Sequence, residues 1–333
     1  MAAYTTIDNP ELHFQVKTWT GTGSSNALTL DGDEDMQPDY VMIKQKSGTQ
    51  QWNGYDDLRG VQEYLGWNTS IVENTQSQGL TAFGSDGFTV GTDDMVNKSS
   101  STYVAYCWKE SATAGFDMVL YTGTGSAHTI SHSLSAVPDV MITKGRSFSD
   151  GWIPYFKTSG NPIILALDDT VADRYSARWG PFFNSTAPTS SVFTVGTDSA
   201  INTSSGTHIA YLWSAKQGFS KFGTYVGNAN ADGPFVYTGF KPAWFMFKDT
   251  ESTTSWIIKD NKRLGYNSIV PHLQANTNDA ENTDGWSAID FLSNGIKLRN
   301  ADNSMNKSGS KFIFMAFSEA PFTNSSGVAC NAG

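Results

Sequence analysis

The chain has 333 residues with 22 Lys and Arg against 32 Asp and Glu, a formal charge of −10. That length holds two or three cores at roughly 100–200 residues each, while the acid excess argues against a nucleic-acid or anionic-membrane surface. No apolar run reaches the ~18 residues of a spanning helix, and two cysteines, Cys107 and Cys330, make neither a disulfide framework nor a zinc site.

Residues 1–17 read as a leading arm. Tyr4, Leu12, Phe14 and Val16 give it apolar surface with which to dock on a neighbour. Its start, MAAYTTIDNPELHF, has neither the basic nor the apolar stretch of a secretory signal. From Thr18 onward the same landmarks return. TWTGTGS (Thr18–Ser24), LYTGTGS (Leu120–Ser126) and TYVGNAN (Thr224–Asn230) come first, followed by PDYVMIK, PDVMITK and PAWFMFK at Pro38, Pro138 and Pro242. A tryptophan follows each of those lysines eight residues later: Trp52, Trp152 and Trp256. The closing block runs Phe88–Trp108 and Phe193–Trp213, with a weaker copy at Ile296–Phe317. The expectation is three tandem β units of about a hundred residues: 18–112, 118–216 and 222–322. Short links at Glu110–Gly115 and Ala215–Lys221 join them, and a polar tail, 323–333, is expected to be loosely ordered unless a neighbour holds it.

Each unit reads as strands. The runs after the three prolines are β-branched and aromatic, and the proline is expected to mark the strand's start. TYVAYCW (Thr102–Trp108) alternates Tyr103, Ala105 and Cys107 with Val104, Tyr106 and Trp108, so both faces are apolar and the strand belongs at the centre of a sandwich. VGTDDMVNKSS and VGTDSAINTSS read as Gly- and Asn-rich hairpin connections. Helical periodicity is sparse, with room for a turn in 61–71 and in 168–178. The fold class is all-β: three β-sandwich, jelly-roll-like units on short linkers.

Catalytic and metal patterns are not apparent. The acidic run DGDED at Asp31–Asp35 lacks the glycine and glutamate of a calcium loop and reads as a solvated face. His128 and His132 have no third ligand beside them. His208 stands where the other copies carry Tyr103 and Phe312, which points to packing. Asp56, Asp57, Glu63, Asp168, Asp169, Asp173, Asp260 and Glu281 follow the repeated tryptophans, but no pair recurs in register for glycoside cleavage. No nucleophile elbow or phosphate loop is present, so no catalytic residue, cofactor or metal is assigned. Trp52, Trp152 and Trp256 recur and read as core. Trp67, Trp179 and Trp286 are irregular and are the first candidates if any tryptophan is exposed for recognition.

The strings AYTTIDNPELHFQVKTWTGTGS, PDYVMIKQ, FTVGTD…YVAYCW, GFSKFGTYVGN and FMAFSEAPF together resemble a repeat family of virion structural, tail-associated proteins of tailed bacteriophages, many of them marine. The resemblance implies a non-enzymatic part of the virion exterior, in a tail fibre or tip or as a capsid decoration, made in the bacterial cytoplasm. Its partners would be other capsid or tail proteins. By analogy with phage appendages it would be a homo-oligomer such as a trimer, or else one chain acting as a pseudo-trimer. A lectin-like adhesin for host-surface glycans is the alternative, and a polysaccharide depolymerase a third reading.

Overall fold

The computed structural model describes residues 4–159, 162–173, 175–264 and 266–330. Its first segment contains β1 (Phe14–Thr20), β2 (Asn26–Leu28), β3 (Tyr40–Gln45), β4 (Asn53–Asp56), β5 (Glu63–Tyr64), β6 (Asn74–Thr75), β7 (Leu80–Gly84), β8 (Gly87–Val90), a helical turn α1 (Asp94–Asn97) and β9 (Thr102–Trp108). The second has β10 (Phe116–Thr122), β11 (His128–Ser131), β12 (Val140–Gly145), β13 (Ile153–Phe156), β14 (Ile163–Ile164), α2 (Trp179–Phe183), β15 (Val192–Val195), α3 (Ser199–Asn202) and β16 (Thr207–Trp213). The third has β17 (Ser220–Val226), β18 (Phe235–Tyr237), β19 (Phe240–Asp249), β20 (Ile257–Asp260), β21 (Leu273–Gln274), β22 (Ile289–Leu292), β23 (Gly295–Leu298), α4 (Asn303–Asn306) and β24 (Lys311–Pro321).

The fold is all-β, and its sheets are antiparallel. Main sheets run β1-β9-β3-β4, β10-β16-β12-β13-β14 and β17-β24-β19-β20-β21, and beside each lies a small one: β2-β8-β7, β11-β15 or β18-β23-β22. In every segment the first strand pairs with the last and the second with the next to last, the nested wrap of a jelly roll.

The alternation in the closing strands explains what each sheet packs against. In β9, Tyr103, Ala105 and Cys107 face a core private to the first segment. Val104, Tyr106 and Trp108 face the other way, into a core that all three segments share. β16 and β24 divide likewise: Ile209, Tyr211 and Trp213, and Ile313, Met315 and Phe317, enter the shared core, while Ala210 and Leu212, and Phe312, Phe314 and Ala316, stay in private ones. Each main sheet is therefore a middle layer between its own small sheet and a common interior. The short links leave the three segments packed on one another through this interior. Trp108 is the hub of that interior, with ring centroids 6.3 Å from Trp213, 6.0 Å from Trp244 and 5.7 Å from Phe317.

Several boundaries move. Phe14–Lys17 are not a leading arm: they pair with Trp108–Ala105 as half of β1, and Phe14 and Val16 lie in the shared core. An alternating F-x-V-x-x-W run is strand pattern, and its partner strand is as apolar as any in the chain. The supposed hairpin connections contain one-turn helices capped by Asp93, Asp198 and Asp302. Each turn ends on a fully buried asparagine. Asn97 Oδ1 accepts from Thr22 N at 2.9 Å and its Nδ2 donates to Gly91 O at 2.7 Å. Asn202 and Asn306 latch Thr124 and Asn228 in the same way, both at 2.8 Å. The turn beneath needs glycine: a Cβ on Gly21, Gly123 or Gly227 would sit 2.2 Å from the carbonyl oxygen of Lys98, Thr203 or Lys307.

Pro242 does not begin its strand but lies at a bulge within β19. Of the two helical-turn candidates, 61–71 holds β5 instead, while 168–178 leads through a 3₁₀ turn at Ser176–Arg178 into α2. The tail is folded back as far as Cys330, where Thr323 bridges Ala329 and Ser325 N donates to Asp8 at 2.6 Å. Residues 331–333 lie outside the described residues.

Candidate functional site

The polar chemistry of the molecule concentrates where the segments meet. β4 ends in Asp56 and turns back through Arg59, both buried. Arg59 Nε donates to Asp56 Oδ2 at 2.5 Å, and its other nitrogens reach Gly54 O at 2.8 Å and Glu73 at 3.0 Å. Across the seam, Tyr211 of the second segment donates to Asp56 Oδ2 at 2.6 Å, and Arg146 grips Glu73 through Nε at 2.9 Å and Nη2 at 2.7 Å.

The third segment builds the same cluster against the first. Arg263 holds Asp260, Ile258 O and Glu281 at 2.5, 2.9 and 3.0 Å, and Tyr106 donates to Asp260 at 3.0 Å. Burial pushes both phenols well above their ordinary range, so Tyr106 and Tyr211 stay protonated as donors. The paired carboxylates hold Arg59 and Arg263 firmly charged against the pull of burial.

The second segment has no such pair. Phe156 and Ser159 stand where the others carry Asp and Arg, and Met315 stands where the incoming tyrosine would be. Phe156 and Met315 both belong to the shared core, and Phe156 stacks on Trp256 of the third segment at 6.2 Å. Among the described residues, two seams carry an aspartate–arginine–tyrosine cluster, and the third has Phe156 and Met315 at those places.

A second set of bonds runs round the whole ring in one sense. Trp52 Nε1 donates to Gln274 O, Trp152 Nε1 to Gly66 O and Trp256 Nε1 to Ala166 O, at 2.9, 2.7 and 2.8 Å. Backbone bonds close the same cycle in the opposite sense, from Glu73 N to Arg146 O, Asp173 N to Thr250 O and Glu281 N to Lys46 O. Each tryptophan expected to be core is thus also a clasp to the next segment.

A family model described as a domain of unknown function, DUF7483, matches residues 9–321, nearly the whole length. The chain belongs to the DUF7483 family. No curated protein matches it. The match spans all three main sheets, so the family unit is the ring and not one segment of it.

The predicted recognition residues of this DUF7483 chain do not form one site. Phe14, Val16 and Trp67 are buried. Trp67 donates to Tyr40 Oη at 2.7 Å and stacks on Trp52, so it is core and not an exposed aromatic. Trp179 and Trp286 are half-buried, packed against the private cores of the second and third segments. Leu12 is half-buried in a 3₁₀ turn at Pro10–Leu12, and Tyr4 donates to Gly239 O at 2.6 Å, fixing the start of the chain on the third segment.

Asp56 and Asp260 are consumed by their arginines and tyrosines, and Asp31 pairs with Lys17 across an exposed loop. His128 lies on β11, a strand. His208 is buried and stacks on Tyr121 at 4.8 Å, and burial takes its pKa down to about 4. Sequence reasoning passed over the arginines. The signal available was D-x-x-R at 56–59 and again at 260–263, at one offset from the repeated tryptophans.

Proposed function

We propose that this chain is a non-enzymatic structural protein of the exterior of a tailed-phage virion, a tail fibre or tip component or a capsid decoration, acting by docking and display. The observation that carries the non-enzymatic part is the fate of its ionisable residues. Two of the carboxylates that follow the repeated tryptophans, Asp56 and Asp260, are fully buried and committed to cross-segment bonds that hold the ring closed. Such an interior is a stiff mount. The loops at the rim of each small sheet are what a partner would meet.

The matching strand orders and the cyclic bonds support descent of the three segments from one copied unit, and they support a single chain taking the place of a trimer. Placement on a virion rests on the resemblance of the strings quoted above. Immunogold labelling of purified particles with an antibody to this chain is the test. Gold on the outer surface is expected, and label confined to the lysate supernatant would overturn the proposal.

A further inference from the structure

The outward face of the third segment's small sheet differs from its two counterparts. In β18, Val236 points inward opposite Ile296, as Leu28 does opposite Phe88 and Ile130 opposite Phe193. Its neighbours Phe235 and Tyr237 therefore share the outer face. They are 45 % and 50 % exposed, whereas the equivalent places hold Ala27 and Thr29 in the first segment and Thr129 and Ser131 in the second.

The row beside Phe235 continues through Lys297 to Asp290, and the row beside Tyr237 passes through Gly295. The glycine makes a notch. A Cβ there would fall 2.6 Å from the tip of the Phe235 ring, so that ring reaches across the glycine, and the residue is 45 % exposed. The polar groups beside the rings are already paired: Lys297 with Asp232 at 2.9 Å, and Arg299 with Asp290 at 2.5 Å. Lys221 sits over one face of the Tyr237 ring, its ammonium 5.1 Å from the ring centroid, which leaves the other face for a ligand.

We propose that this shelf binds a neutral saccharide. Flat apolar rings on one strand face, about 7 Å apart along the chain, suit the C–H faces of pyranose rings. Fixed donors and acceptors beside them suit hydroxyl groups. Lys297 and Arg299 are paired with carboxylates and the Lys221 ammonium is spent on the Tyr237 ring, so the shelf is built for a ligand without net charge. A second copy of the chain fits poorly. Two aromatics offer at most ~500 Å², short of the ~800 Å² per partner of a standard interface, and charged residues are depleted at the centre of such interfaces. The shelf does not depend on where the protein is carried.

Affinity electrophoresis of the full chain, in native gels containing dextran, galactomannan, mannan or hydroxyethylcellulose, with alginate as the acidic arm, tests this. Retardation is expected in at least one neutral gel. Phe235→Ala or Tyr237→Ala should weaken it at least tenfold. The double change Phe235→Thr with Tyr237→Ser, which installs the second segment's residues, should abolish it while thermal unfolding stays as in the parent. Tyr266→Ala, removing another exposed tyrosine, should leave retardation unchanged. Four outcomes overturn the proposal: free migration in every neutral gel, retardation by alginate alone, full binding by the double variant, or a concentration-dependent rise in mass that the double variant loses.

Discussion

The three seams contain their own control experiment. Arg59→Ser places at the first seam the residue that the second segment carries at position 159. Asp56 is then left buried with the Tyr211 hydroxyl and backbone N–H groups as its donors, and breaking a buried pair by removing one partner costs about 3–5 kcal/mol. With a urea dependence of about 3 kcal/mol per molar for a chain larger than the usual small domain, the unfolding midpoint should drop by about 1–1.7 M. The triple change Asp56→Phe, Arg59→Ser and Tyr211→Met transplants the apolar seam of Phe156, Ser159 and Met315 entire. It should recover most of that loss, because well-packed apolar groups replace buried ions at little or no cost. Tryptophan fluorescence reports the midpoint, since Trp152 bonds to Gly66 and Trp108 meets Trp213 across this seam. A midpoint for Arg59→Ser within 0.3 M (about 1 kcal/mol) of the parent would refute the reasoning. So would a triple variant no better than the single one.

Other consequences are more local. Asn202→Ala strips both Thr124 N and Gly196 O of partners and should cost about 2–3 kcal/mol by the same titration, whereas a surface change such as Ser204→Ala should be silent. Deleting residues 1–17 removes half of β1 and exposes the Trp108 face, so the product should bind a hydrophobic dye and lose its cooperative transition; a well-folded truncation would contradict the strand assignment. His208 titrates near 4 in the fold against 6.5 when unfolded. The unfolded chain therefore binds the extra proton between those values, and stability is lost as pH falls from 6.5 toward 4. His208→Phe, the residue type at Phe312, should remove that loss and gain about 1–2 kcal/mol on the parent at pH 5 relative to pH 7.5; an equal difference at both pH values would count against burial of a neutral ring.

Much of this architecture was legible because two-residue periodicity survives any arrangement of sheets. TYVAYCW announced a strand buried on both faces, and it is one. What period two does not carry is the identity of the second face. Trp108 looks the same in sequence whether it meets its own sandwich or the rings of two other segments, since the covering residues lie a hundred or more positions away. The same gap misplaced Trp67, whose irregular position suggested exposure while its indole N–H was already spoken for by Tyr40. Phe235 and Tyr237 were overlooked for the converse reason. F-V-Y reads as core until the register shows that Val236 alone points inward. The short helical turns were masked by their composition, since Asp, Asn and Ser signal turns and N-caps equally well.

Lys44, Lys144 and Lys248, which close the three repeated strand runs, are each fully buried, and the reason for a lysine there is geometric. Lys44 Nζ donates to the carbonyls of Gln45, Gly48 and Asn278 at 2.8, 3.1 and 3.1 Å, the last of them across a seam. Lys144 reaches Gly145 O and, across another seam, Ser70 O. Lys248 reaches Asp249 O and Ser252 O. An ammonium has three protons for such carbonyls, and methionine would leave them unpaired. Burial nevertheless takes all three pKa values down from 10.5 to about 8. Above pH 8 the folded lysines release protons that the unfolded chain still binds, so these groups make stability rise with pH until about 10.5. Cys107, raised by burial, opposes them above pH 9, when the unfolded thiol ionises. Three lysines outweigh one thiol, so the urea midpoint should climb between pH 8 and 9.5. Lys44→Met should be less stable than the parent throughout and climb less steeply. A parent midpoint that falls across that interval would mean the three amines do not lose their protons in the fold, and that the carbonyls around each Nζ outweigh its burial.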